Sequence, residues 1–341
     1  MKFVIINETL KKPYDEGMKN YVVSLIREFK KKSKVLAFTN QQFEDKELNL
    51  ISVNMNKFFL NFSLFKKIKK FNPDSIIYIP YSSITFFAFL RAKFLSLFTN
   101  KKLIIISLQR RKYGFLEKII LPFLKPNLVI TSSEETYHFL NNLGFNINLS
   151  AIGIDTDRFY AVSKNKKNLL RKKWNLLPNK KIFLHIGHLK KKRNIQSLFQ
   201  VLENKNNLLI IVASTTYKKE MNLKTKANLI ILDKYIPNIE ELYQLSDYYL
   251  FLAQKFDSAI DVPLSVLEAL SCNINVITTN FGGLNWMLKE KFHGLIKVNS
   301  DSNILTHITK INPKNKIESR EKVKKYDSKI VFKSILEEIQ K

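Results

Sequence analysis

Two junctions in the second half of the chain carry the residue types best suited to chemistry. At the first, Gly187-His188-Leu189 runs through Lys190, Lys191, Lys192 and Arg193 to Asn194, just ahead of apolar residues at helical spacing (Ile195, Leu198, Phe199, Leu202). A helix start already carries partial positive charge, so crowding cations onto it is unfavourable unless an anion binds there. The pattern points to a phosphate-bearing ligand, with a solvated lysine loop as the alternative. At the second junction, Asp257 to Pro263 leads into a segment whose Leu264, Leu267 and Leu270 share one helical face while Glu268 falls off it. An acid about one turn into a helix at the mouth of a sheet can accept two hydrogen bonds from a ribose diol. Asp261 and Pro263 also suit the plain task of starting that helix, by capping and by a fixed φ.

The elements that must hold these residues alternate in a regular way. Short β-branched or apolar runs at 3–6, 34–38, 75–79, 102–106 and 128–131 are each expected to be strands buried on both faces. Between the first two, Tyr21, Val22, Leu25, Ile26 and Phe29 follow the helical period over 17–32. A second series begins after the polar stretch 163–167, with runs at 181–187, 208–214, 228–233, 248–253 and 274–279. Strands alternating with amphipathic helices imply parallel sheets covered on both faces, here twice over. A ligand is then expected at the carboxyl ends of the strands.

Composition narrows the classes further. The 341 residues favour two domains, and 45% hydrophobic content with only 8 Gly and 9 Pro excludes a collagenous or Gly/Pro-rich disordered chain. One cysteine, Cys272, excludes an intramolecular disulfide framework and fits a reducing compartment. The apolar run at 3–6 is too short for a secretory signal, and the greasy stretch 85–98 is interrupted by Arg91 and Lys93, so no leader or spanning helix is expected. The net charge is +28, and residues 57–125 hold fourteen Lys and Arg against only Asp74 and Glu117. Cations interleaved with Phe and Leu in that segment suit an anionic membrane surface; a lysine-rich composition throughout the chain is the plainer account of the total. Nucleic acid is not expected, since no zinc-finger, RNP-like or basic-zipper pattern occurs. No Walker loop or nucleophile elbow occurs either. Asp155-Thr156-Asp157 spells a metal-binding triplet, but its place between the two series favours Asp155 as a turn cap, and no metal is expected. His138, His185 and His307 have no partner acid or cysteine at ligand spacing and read as structural.

Taken together, these residues resemble the retaining, nucleotide-sugar-dependent glycosyltransferases of family 4. Asp15-Glu16-Gly17 is similar to the family's N-terminal glycine loop, and Gly153-Ile154-Asp155-Thr156-Asp157-Arg158-Phe159 to its interdomain signature. Gly187-His188-Leu189 through Arg193-Asn194 is similar to the phosphate loop. Pro263 through Glu268-Ala269-Leu270-Ser271-Cys272-Asn273, on to Val276-Ile277 and Gly282-Gly283, is similar to the last motif. The resemblance spans nearly the whole chain and implies the GT-B fold, an α/β architecture of two Rossmann-like doubly wound parallel-sheet domains facing a central cleft. The implied boundaries are an acceptor domain at 1–162, a nucleotide-sugar domain at 163–325 and a terminal helix at 326–341 that packs back on the first domain.

The implied activity is a metal-independent transfer of a sugar, with retention, from a UDP- or GDP-linked donor to a glycan or polyprenyl-phosphate-linked acceptor in cell-surface polysaccharide or glycolipid synthesis. The nucleotide sugar is a co-substrate and no cofactor is implied. The resemblance assigns His188, Arg193 and Asp261 to catalysis. It assigns Gly17, Gly187, Lys192, Val262, Pro263, Leu264 and Glu268 to the donor, and places Gln109, Arg110 and Arg111 on the acceptor side. The chain departs from the family at several of these points. Ile260 stands where the first glutamate of the last motif belongs, with Asp261 beside it. His188 and Arg193 replace the usual arginine and lysine, and Gln109 occupies a position that is histidine in many relatives. A catalytically inactive binding or scaffold subunit partnering another glycosyltransferase is therefore the second reading. The implied location is cytoplasmic, with the basic apolar segment able to bring the protein to the inner face of the membrane.

Overall fold

A computed structural model of the protein describes residues 1–56, 58, 61–81, 83–213, 226–299, 302–309 and 317–341. The chain divides into two compact units. The first comprises Met1–Gly153, the short segment Ala259–Val262 and Ser328–Lys341; the second comprises Ile154–Ser258 and Pro263–Asp327. The division after Gly153 falls nine residues before the expected boundary at 162. At Gly153 an added Cβ would lie 2.8 Å from the backbone of Ser328, so only glycine lets these two strands of chain meet.

The first unit is built on a seven-stranded parallel sheet: β1 (Lys2–Ile6), β2 (Lys34–Thr39), β3 (Leu50–Ser52), β4 (Ser75–Tyr78), β5 (Lys102–Ser107), β6 (Leu128–Thr131) and β7 (Ile147–Leu149), in the order β3-β2-β1-β4-β5-β6-β7. The second unit has β8 (Lys181–Ile186), β9 (Asn207–Val212), β10 (Leu229–Leu232), β11 (Tyr248–Phe251), β12 (Asn275–Thr279) and β13 (Leu295–Val298), in the order β10-β9-β8-β11-β12-β13. All pairs are parallel. In each unit the chain runs outward for three strands, then returns to the far side of the first. The order therefore reverses between β1 and β4 and between β8 and β11, and ligands of such sheets lie at that crevice. The ten expected strands all form, with ends shifted by up to two residues; Ser214, at the end of one expected run, lies outside the described residues. The sequence reading missed β3, β7 and β13. They are three or four residues long, at sheet edges and only partly buried, so their hydrophobic signal is weak.

The helix over Gly17–Lys30 buries Tyr21, Val22, Leu25, Ile26 and Phe29, as their period requires. The terminal helix Ser328–Gln340 belongs to the first unit and packs on that helix, Phe332 meeting Tyr21 edge-on with ring centroids 5.3 Å apart. The expected helix beyond Arg193 is broken: an α-helical turn at Ile195–Leu198 passes into a tighter 3-10 run, Phe199–Glu203. Ile195, Leu198, Val201 and Leu202 are buried along it, so burial rather than helical regularity sets its course. Phe332 is 1% exposed. Phe332→Ala should lower stability by about 3 kcal/mol, read as a shift in the urea midpoint at unchanged slope; an unshifted midpoint would show that the terminal helix adds nothing to the first unit.

Candidate functional site

In the second unit the loop after β8 sits at the point where strand order reverses. Gly187 follows β8 with φ +153, and its N–H continues the sheet by donating to the Val212 carbonyl at 3.0 Å. A Cβ on Gly187 would lie 1.8 Å from a terminal nitrogen of Arg193, so the guanidinium occupies the space that a side chain would need. Arg193 closes the 3-10 turn Lys191–Arg193, is 8% exposed, and donates from Nε to the Ser258 carbonyl at 3.0 Å. Asn194 then takes the left-handed conformation, φ +55, to turn the chain into the next helical segment. These four features place a nearly buried cation at the carboxyl end of the central strand. Such a group is fitted to bind an anion in two parallel hydrogen bonds.

His185, on β8, adds a group whose sequence context alone reads as structural. Its Nδ1 lies 2.8 Å from the Leu250 carbonyl, which can only accept, so Nδ1 carries the proton. The Nε2 lone pair is buried without a hydrogen bond and faces the Gly187 corner, 3.6 Å from where a Cβ there would be. Burial holds the imidazole down at about 4, with Arg193 adding to the effect, so it stays neutral near pH 7. The Ser258 hydroxyl is likewise buried without a partner. Lone pairs of this kind leave no trace in residue spacing.

His188 occupies the same loop, its carbonyl accepting from the Lys190 N–H. Lys192 is half exposed and paired with Asp257, an exposed contact of small energetic weight. Glu268, partly buried on the helix Leu264–Ser271, accepts from the Tyr243 hydroxyl at 2.7 Å. Burial pushes its carboxyl up to about 7, outweighing the opposing pull of that hydrogen bond and of Arg158. The Tyr243 ring packs at a tilt against Tyr249, whose hydroxyl reaches the Ile186 carbonyl at 3.4 Å, so an aromatic bridge joins Glu268 to the end of β8. Pro263 precedes the helix with no side-chain cap, and Val262, Pro263 and Leu264 are buried. Asp261 does not cap this helix.

Instead Asp261 groups with the first unit, where it is 1% exposed. Its N–H donates to the Leu108 carbonyl at 2.7 Å, and its Oδ1 accepts from Arg110 Nε at 2.9 Å. Arg110 also donates to Glu135 at 2.7 Å. Two carboxylates thus hold a guanidinium that the resemblance places on the acceptor side, while Arg111 beside it is exposed and Gln109 half-buried. In the same unit Gly17 opens its helix at the foot of a loop tied down by Lys19, which pairs with Asp15 at 3.3 Å and Glu16 at 3.7 Å.

The remaining signature residues serve architecture. Asp155 Oδ1 accepts from the N–H groups of Asp157 and Arg158 at 3.1 and 2.9 Å, which makes it a turn cap. Phe159 packs edge-on against Tyr243, and its carbonyl receives Ser271 and Arg320. Arg320 reaches the carbonyls of Thr156 and Ser271 as well, a tie that the sequence did not disclose. Among the described residues no three His, Cys, Asp or Glu side chains form a group able to hold a metal ion.

Folding favours the protonated form of Glu268, because its value of about 7 lies above the ordinary 4.5. That stabilisation is full below pH 4.5 and is lost as pH rises through 7. Glu268→Gln, neutral at every pH, should therefore exceed the parent protein in stability at pH 8 by up to about 3 kcal/mol. The gain in Tm should fade toward pH 4.5, and a pH-independent difference would contradict the burial of this carboxyl.

Comparison with known proteins connects this geometry to a family. Residues 166–329 match the family model described as Glycosyl transferases group 1. The chain is 28% identical over 175 residues, 47% of its length and 43% of the relative's, to the Escherichia coli UDP-Gal:alpha-D-GlcNAc-diphosphoundecaprenol alpha-1,3-galactosyltransferase. It is 28% identical over 130 residues, 36% of its length and 33% of the relative's, to the N-acetyl-alpha-D-glucosaminyl L-malate synthase of Bacillus anthracis. The matches thus span less than half the length of these relatives. The crystal structure of Anabaena Alr3699/HepE in complex with UDP-glucose is similar over 100% of this chain and 99% of that one, with a TM-score of 0.77 and 14% identity, a likeness of fold.

Proposed function

We propose that the protein is a retaining glycosyltransferase that moves a sugar from a UDP-linked donor to a lipid-linked or polysaccharide acceptor, a reading supported by the match of residues 166–329 to the Glycosyl transferases group 1 model. The observation that carries this reading is the nearly buried Arg193 guanidinium seated over Gly187 at the end of β8. In the proposed reaction the bond from the anomeric carbon to the diphosphate breaks and one to an acceptor hydroxyl oxygen forms. The nucleoside diphosphate gathers negative charge as it leaves. Arg193 receives that charge through bidentate hydrogen bonds, and His188 donates a further one from the same loop. A fixed cation screened from water is already oriented when the charge develops, so little reorganisation is needed. Glu268 holds the ribose diol in its ionised form. On the acceptor side Gln109 and Arg111 line the end of β5, next to an Asp261 carboxylate oriented by Arg110.

The choice of UDP is supported by the UDP-galactose donor named for the Escherichia coli relative and the UDP-glucose bound by the Anabaena protein. A lipid-linked acceptor is supported by the diphosphoundecaprenol substrate of the former.

Calorimetry without added metal tests the reading, with UDP, GDP, ADP and their sugars as ligands. UDP and one UDP-sugar should bind in the micromolar range, and Glu268→Ala should weaken UDP by roughly tenfold or more through the loss of two hydrogen bonds to a charged group. Folded protein that ignores every nucleotide would instead favour an inactive scaffold, the reading that Ile260 at the first glutamate position supports. Glu268 also imposes a pH dependence. With a carboxyl that ionises near 7, UDP affinity should fall as pH drops from 8 to 6. The part of this fall that Glu268→Gln abolishes belongs to this residue, and an identical profile in the variant would remove it from the ribose site.

A further inference from the structure

The helical turn Phe115–Ile120 has no buried residue, although four of its six side chains are apolar. Phe115 is 78% exposed, Leu116 71%, Ile119 52% and Ile120 42%, and Phe123, just beyond, is 73% exposed. At about 100° per residue these five fall within an arc of about 140°. Leu121 and Leu124 point the other way, into the core of the first unit. The segment is amphipathic with its apolar face outward. The core that receives Leu121 and Leu124 also receives the inner faces of the helices Phe62–Phe71 and Phe86–Thr99. These helices expose Phe62 at 92%, Leu97 at 66% and Phe98 at 49%. Exposed apolar groups on three neighbouring helices exceed the scattered singles of an ordinary surface.

Charge identifies the occupant. Arg111, Lys112, Lys118 and Lys125 lie on or beside this turn and are exposed, and Lys66, Lys69 and Lys70 lie exposed on the helix Phe62–Phe71. The one acid in the turn, Glu117, is spent on the Gly114 N–H at 2.7 Å. A second copy seated on this face by two-fold symmetry would set each cation group against its own image. Lipid phosphates are complementary to the cations, and the acyl boundary to the rings and leucines between them. We infer that this face of the first unit docks on an anionic bilayer surface, with Phe115, Leu116, Ile119 and Phe123 entering the headgroup–acyl boundary and the flanking lysines at the phosphates. The inference stands apart from the donor-site reading, since none of these residues lies in the second unit.

Co-sedimentation of the full chain with phosphatidylglycerol-containing vesicles, against pure phosphatidylcholine vesicles, tests it. Binding to the anionic vesicles should be strong at low salt and fall steeply as salt rises. The triple variant F115S/L116S/F123S should lose at least tenfold in partitioning, and Lys112→Glu with Lys118→Glu should remove the preference for anionic lipid. All five positions are exposed, so folding and UDP affinity serve as internal controls. Leu116→Trp should show a blue-shifted emission on adding anionic vesicles alone. No binding at low salt, or equal binding by the triple variant, would overturn the inference. So would self-association that the triple variant abolishes while vesicles leave the emission of Leu116→Trp unmoved.

Discussion

The guanidinium of Arg193 lies in space that any side chain on Gly187 would fill, and the geometry of the second unit's site follows from that seat. A cation screened from water is costly unless its donors find acceptors. The Ser258 carbonyl supplies one to Nε, and the strand-order reversal beside β8 leaves a place where a ligand anion can supply others. The same low-polarity corner keeps His185 neutral with its Nε2 lone pair inward. A positive donor set and a neutral acceptor thus stand together at the end of one strand, an arrangement suited to a phosphate whose oxygens and neighbouring hydroxyls need both.

Glu268 shows the same economy of burial from the opposite sign. Burial raises its carboxyl to about 7 against the opposing hydrogen bond from Tyr243, so holding it ionised costs folding free energy at neutral pH. Positions that weigh on stability in this way are characteristic of groups kept for binding or catalysis. The Tyr243 hydroxyl holds the carboxyl, and the Tyr243 ring contacts Tyr249, whose hydroxyl reaches the end of β8.

The first unit divides its surface chemistry differently. Its sheet is sealed by helices, yet the turn Phe115–Ile120 turns its apolar side chains away from the core. The interior of this unit is filled by Phe89, Leu95, Leu121 and their neighbours. The outward residues are therefore surplus to folding. Arg110, by contrast, is drawn into a network with Asp261 and Glu135, which leaves Arg111 as the solvent-facing member of the pair.

Much of this was legible in the residues themselves. The alternation of apolar runs with helical periods was enough for ten of the thirteen strands among the described residues and for two parallel sheets, because burial on both faces demands unbroken apolar sequence. Gly187, Arg193 and Glu268 stand out in the sequence as candidates because they fall at strand-to-helix junctions, and the structure brings Gly187 and Arg193 together at the end of β8. The short edge strands were not legible, since three or four half-buried residues carry no distinctive pattern. Tertiary structure alone decided which charges meet. Asp261 and Arg110 are 151 residues apart in the chain, yet 2.9 Å apart in space. Spacing along a chain reports which face of a local element a residue occupies, and says nothing of which distant element is packed against it. For the same reason the lone pair of His185 and the outward face at Phe115 appeared only when the neighbours that bury one and leave the other uncovered were in place.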